Sequence, residues 1–398
     1  LVPRDPAYAK CDCKDAQQGC EHVALAVWAF REAETRAGAS VVVSLGALAK
    51  RDDAQLDKAL ELASAILRGG VAHAPPNLPS LFLAARAELD KHGFVWPLGA
   101  VDDLERAVEA YAARSALYSS REIATLLAEL EARARASRAS AELPVRYVLG
   151  QDEARTTALD KVRLVSLGAR VSADGRVRFA HVYLADPDSA MVLVLQKRWD
   201  AKEKEEPEDG PALARRDVAR GVKLGAIATG QMVSHTVQRK ANRELVVGRA
   251  VAAPNQVTPQ RAEWDSLPPP IFVKSLEEHA AWLKTRPPRA LRPRLLAENV
   301  HAIAVSAVED VFYVPAEQEL LAKLADGAGN PFYLRVVHRR VAPNAIDATA
   351  AALAKPVRFV AGELVRGPLG FELAPTAIAG DEVLAPDVAP PAKAVEVP

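Results

Sequence analysis

The chain has 398 residues, enough for two or three domains with separate cores, and 51 Lys/Arg balance 51 Asp/Glu. Zero net charge excludes attraction of the whole molecule to nucleic acid or an anionic membrane, although local patches remain open. No run of about 18 apolar residues is present, which excludes a plain spanning helix.

Leu1 to Lys10 lack the apolar core of a signal peptide, and a start at Leu1 rather than Met leads us to expect a missing upstream portion. All three cysteines lie within ten residues. An odd, tightly packed set argues against a disulfide framework, so a cytoplasmic location is expected.

Residues 39–140 read as helical. Asp52 or Asp53 can cap a helix carrying Leu56, Leu60, Ala63, Ile66 and Leu67 that stops at Gly69-Gly70. Further helices are predicted over 80–92, 101–116 and 120–135, with Trp96-Pro97-Leu98-Gly99 as a connector. From Pro144 the period becomes two, and strands are predicted over 162–171, 177–184 and 191–199, with a tight turn at Asp174-Gly175.

A helix is then predicted over 212–231, inside a 144–260 domain of β-meander plus helix. The 265–385 domain reads as α+β: strands over 300–307, 311–314, 332–341 and 357–365, and a helix over 317–325. The Pro-, Ala- and Val-rich tail from 386 to 398 is expected to be disordered, and no repeat of fixed period is visible. The fold class is thus α+β, with an N-terminal zinc finger and helical bundle followed by antiparallel β-rich and α+β domains.

The segment Cys11-Asp12-Cys13, six residues, Cys20-Glu21-His22 supplies three thiols and an imidazole. Zinc takes four such ligands in a tetrahedron, and a Cys-x-Cys pair sets two thiolates on one side of a short turn. Gly19 frees the backbone before the third ligand, and Val23 to Phe30 form an apolar helix behind the fourth. Four protein ligands leave no open position, so the metal is expected to be structural. Free surface thiols and catalytic zinc are the alternatives.

Cys-x-Cys-x6-Cys-x-His followed by Val-Ala-Leu-Ala-Val resembles the SWIM zinc finger, over about residues 8–30 within a 1–38 module. The resemblance implies a ββα unit whose hairpin precedes the first cysteine. Only ten residues precede Cys11, so that hairpin is absent or truncated. It also implies DNA or protein contacts, and the larger chain looks like bacterial SWIM proteins thought to act beside MoxR-type ATPases and von Willebrand A-domain proteins.

Residues 211–300 hold fifteen Lys/Arg and seven Asp/Glu. Two clusters stand out, Arg239-Lys240-Ala241-Asn242-Arg243 and Arg286 through Arg294; either could contact phosphates or be a solvated face. Arg239, Lys240 and Arg243 are the candidate nucleic-acid-binding residues. His279, His301 and the other downstream histidines lack metal-pair spacing, and Asp186 and Asp188 lie in a turn where aspartate caps backbone. No P-loop, Rossmann turn, His-Glu-x-x-His or nucleophile elbow is present. The expected function is a non-enzymatic zinc-containing adaptor working through a protein partner or nucleic acid. An enzyme with an unrecognised site in the β-rich region and a purely structural subunit are the alternatives.

Overall fold

The computed structural model describes residues 56–138, 143–203, 205–235, 237–248 and 255–392. Cys11, Cys13, Cys20, His22 and the expected 1–38 module lie outside them. The chain divides into two compact units, one of 1–157 with 287–294 and one of 158–286 with 295–398.

The first unit is helical: α1 (Asp57–Gly69), α2 (Leu78–Lys91), α3 (Val95–Ala112), α4 (Ser120–Arg138) and α5 (Val145–Leu149). Leu62, Ile66, Phe82, Leu89, Leu104, Leu126 and Leu130 recur at helical spacing and meet in one core. Gly70, with φ of 65°, ends α1 as expected. The predicted connector at 96–99 is instead the first turn of α3, where Pro97 loses no hydrogen bond because the first N–H groups of a helix have no intrahelical partner. Trp96 donates from Nε1 to the Arg146 carbonyl at 3.1 Å.

In the second unit the predicted meander is present as β2 (Val162–Asp174), β3 (Val177–Asp186) and β4 (Met191–Asp200), after β1 (Thr156–Leu159) at the division between the units. The helix predicted over 212–231 is broken into α6 (Gly210–Leu213), β5 (Asp217–Ala219), β6 (Val222–Lys223), α7 (Leu224–Ala228) and β7 (Gly230–Ser234). Gly221, at φ 71°, turns the chain between β5 and β6. A Cβ on Gly230 would lie 2.6 Å from the Ala226 carbonyl oxygen, so the chain can leave α7 there only as glycine.

Then come β8 (Val237–Lys240), β9 (Glu244–Val247) and β10 (Gln256–Pro259). Strands of this unit pair in the order β8-β9-β4-β3-β2-β7-β10. β11 (Phe272–Val273) and α8 (Leu276–Thr285) follow.

The C-terminal part holds β12 (Val300–Val314), β13 (Glu319–Asp326), β14 (Pro331–Val337), α9 (Ala345–Leu353), β15 (Phe359–Gly367), β16 (Gly370–Ala379) and β17 (Val383–Leu384). The helix predicted over 317–325 is β13. Leu320, Ala322 and Leu324 are fully buried and alternate with outward positions, and this period of two overrides the helical propensity of Ala and Leu. α9 has no counterpart among the predicted elements.

The strands close a ring, β12-β13-β14-β16-β15 and back to β12, in which β14 and β16 are parallel. Ile303, Leu320, Leu324, Phe332, Leu334, Val360 and Leu373 fill it. The tail is ordered at its start: Pro386–Val388 make a 3-10 turn, and Asp387, 3% exposed, accepts from the Val171 N–H at 2.9 Å.

Candidate functional site

Among the described residues no group of three or more His, Cys, Asp or Glu side chains could hold a metal ion. Arg239, Lys240 and Arg243 do not share one exposed surface. Arg239 is buried, with Nη1 3.5 Å from the Met191 sulfur, and Lys240 is ion-paired to Glu244 at 2.8 Å. Arg243 occupies the left-handed turn between β8 and β9 at φ 67°, its carbonyl accepting from the Val194 N–H.

The second basic cluster is also engaged. Arg286 pairs with Glu298 at 2.8 Å and lies over the Trp282 ring, while Arg294 pairs with Asp103 and Glu129. Arg133, 1% exposed, donates to Glu129 at 2.8 Å, to the Val148 carbonyl and to the Arg292 carbonyl at 2.6 Å. This cluster fixes residues 287–294 within the helical unit. Asp186 accepts from the Asp188 N–H and the Ser189 hydroxyl, a capped turn.

The C-terminal barrel carries a different arrangement. Its inner positions are even-numbered on β13 and β14, so Glu319, Leu321, Lys323, Tyr333, Arg335 and Val337 face outward in register, Glu319 beside Val337, Leu321 beside Arg335 and Lys323 beside Tyr333. Arg335 sits between two carboxylates. It is bidentate to Glu319 at 2.7 and 2.8 Å and bonds Glu372 of β16 at 2.8 Å. The hydrogen bond from Arg335 holds Glu372 below the usual carboxylate range. Lys323 pairs with Glu309 at 2.7 Å.

Beside these satisfied charges Val337, opposite Glu319, and Val365, opposite Glu372, are 47% and 43% exposed, and Leu369 is 49% exposed. The Leu369 N–H reaches Glu372 at 3.3 Å, which links the turn after β15 to the Arg335 cluster. Beside the barrel, His279 of α8 packs edge-to-face on His301 of β12 at 4.6 Å between ring centres. His301 is a satisfied core histidine, Nδ1 lying 2.7 Å from the Pro270 carbonyl oxygen.

A strand ring with a parallel third-to-fifth pairing and a helix between its third and fourth strands is the OB arrangement, and residues 297–398 match the family model of the YehQ C-terminal OB-fold domain. Residues 52–150 match that of the YehQ four-helical bundle domain. Both matched models describe domains of YehQ, to which these segments are similar. The chain is 28% identical over 393 residues to protein YehQ of Escherichia coli K12, a match that covers 92% of the chain and 63% of YehQ. It therefore spans less than two thirds of the length of that relative.

These matches correct the expected SWIM membership and the zinc-finger, DNA-binding description that came with it. The Cys-x-Cys…Cys-x-His spacing occupies twelve positions of 398 and reports donor chemistry, whereas the YehQ likeness runs through both units. No described helix is long and apolar enough to cross a membrane. The barrel face went unread in the sequence because Leu320 to Ala325 resembles a helix. Leu321 and Ala325 are buried along with Leu320, Ala322 and Leu324, so the segment carries no apolar alternation that could have found it.

Proposed function

We propose that this chain is a non-enzymatic interaction protein whose C-terminal barrel face takes a protein partner. The observation that supports it most is Arg335 held between Glu319 and Glu372, with Val337, Val365 and Leu369 exposed beside those carboxylates. A guanidinium already bidentate to carboxylate has little to offer a phosphate. The matched segment 297–398 has eight Lys/Arg and thirteen Asp/Glu, a charge of −5 that repels a polyanion. Exposed apolar and aromatic groups around neutralised charge suit a polypeptide surface.

The ATPase-system partner expected earlier came with the SWIM likeness and is not carried forward. For the enzyme alternative, a cavity of about 270 Å3 is lined by Arg178, Trp199, Asp200, Glu206, Glu208 and Arg216. Its arginines are bound to Glu208, Arg178 to the carbonyl and Arg216 to the carboxylate at 3.0 Å, and no nucleophile stands beside a base there. The test is a Val337→Glu, Leu369→Glu double variant purified beside the parent chain. The parent should retain a stoichiometric protein through nuclease treatment, and the folded variant should lose it. Equal recovery from both, or loss on nuclease treatment, overturns the reading.

A further inference from the structure

We infer that residues 287–294 are a strap seated in a peptide-binding site of the helical unit, and that an arginine-bearing segment of a partner protein takes the same site when the strap lifts.

The strap reads Pro287-Pro288-Arg289-Ala290-Leu291-Arg292-Pro293-Arg294. It leaves the second unit after Arg286 and returns to it at Leu295. None of its residues is buried, although it packs within the helical unit. Its three prolines have no N–H, and the amides of Leu291 and Arg292 bond back to the Pro288 and Arg289 carbonyls at 2.9 and 3.1 Å. Arg292 closes the strap on itself, Nε donating to the Pro287 carbonyl at 2.6 Å. The segment thus brings its own turn, a 3-10 helix over Arg289–Leu291, and loses little freedom on docking.

The groups beneath it are less exposed. Glu129 and Arg133 of α4 are buried, and Asp103 of α3 is half-buried. Each carboxylate commits one oxygen to an arginine of its own helix. Arg133 holds Glu129 Oε1 at 2.8 Å, and Arg106 holds Asp103 Oδ1. The second oxygens, Glu129 Oε2 and Asp103 Oδ2, take the two terminal nitrogens of Arg294. Two helices therefore aim one oxygen each at a single guanidinium. Arg133 adds a donor to the Arg292 carbonyl at 2.6 Å, and Leu291 rests on the apolar core of the bundle.

Lifting the strap strands neither carboxylate, because each keeps its own arginine and its freed oxygen gains water. The site stays whole without its occupant. What the strap supplies is an arginine, the carbonyl two residues before it and a leucine three residues before it, and a partner segment of that pattern supplies the same. Lysine offers a point charge instead of two coplanar donors, so it replaces Arg294 poorly. A strap tethered at both ends competes at an effective concentration on the order of millimolar, which closes the resting chain to weak ligands. The site belongs to the helical unit and does not rest on the protein-binding reading of the C-terminal barrel.

The test titrates a labelled synthetic peptide of residues 286–296 into the full chain by fluorescence anisotropy. A Leu291→Ala, Arg294→Ala double variant, which loosens the strap and leaves the site whole, should bind the peptide at least about tenfold more tightly than the parent. Adding Asp103→Asn to that variant, or placing Arg294→Lys in the peptide, should reverse the gain by about tenfold. Hydrogen exchange on the parent chain reads the same opening without any substitution: the Leu291 and Arg292 amides should exchange faster than those of α4. No peptide binding to the double variant at ~1 mM, equal affinity in parent and double variant, indifference to Asp103→Asn, or strap amides as slow as those of α4 would each overturn the inference.

Discussion

Arg133 is a cation with almost no access to water, and three separate parts of the helical unit depend on it: Glu129, the α5 carbonyl of Val148 and the 287–294 segment through Arg292. Arg133→Met would keep most of the bulk but take one of two arginine partners from Glu129, whose other is Arg294, and leave two carbonyls without this donor. Removing one partner of such a buried network costs roughly 3 kcal/mol or more. Denaturant unfolding should show that loss, and a variant as stable as the parent contradicts the assignment.

The basic run from Arg286 to Arg294 was legible as charge but not as structure. The partners of Arg294, Asp103 and Glu129, lie 191 and 165 positions away, beyond any spacing rule. For Cys11, Cys13, Cys20 and His22 the proposal of a structural zinc rests on donor chemistry alone. Elemental analysis of protein purified without chelator should find one zinc per chain, lost in Cys20→Ser. A zinc-free parent chain would end it.

Between elements, Gly168 is a point of close backbone approach in the second unit. It sits at φ 99°, and a Cβ there would lie 2.1 Å from the Thr376 carbonyl oxygen, where β2 meets β16. The Thr376 hydroxyl donates to the Leu167 carbonyl at 2.6 Å beside it. Gly168→Ala combines a disfavoured φ with a backbone clash and should destabilise the unit by about 2 kcal/mol or more. A melting temperature within a degree of the parent would contradict that packing.

α8 adds a pH dependence. Burial pushes His279 and His301 down to about 4, so the folded state keeps both neutral while the unfolded chain, near 6.5, takes up protons first. Stability is therefore complete above about pH 6.5 and falls as pH drops from 6.5 toward 4, by roughly 3 kcal/mol per histidine at most. His301→Gln should show a shallower fall between pH 7 and 5 in thermal melts. An unchanged slope would exclude the pair as its cause.

The turns were readable where residue chemistry decides them, as at Asp174-Gly175. The segment 212–231 was not, because its Ala- and Leu-rich composition suits a helix while Gly221 and Gly230 break it in two places.

For the molecule as a whole, zero net charge conceals a partition. Residues 162–247 are positive and 297–398 negative. The likeness in strand pairing between residues 162–247 and 300–379 could not be read as a sequence repeat. What they share is strand pairing, and the chain between third and fourth strands differs in length and content, 201–229 in one and 338–358 in the other. The helical region expected to end at 140 differs from the first unit, which runs to 157 with α5 inside it and takes in 287–294 through distant ion pairs.

The most direct test of the adaptor reading is a photocrosslinking residue placed at Val337 of the full chain in cells, with a control at Lys223. Val337 should give one discrete product that protease removes and nuclease leaves, mapped by mass spectrometry to peptides containing β13 or β14, and Lys223 should not give it. A product removed by nuclease, or identical products from both positions, would contradict a protein-binding barrel face.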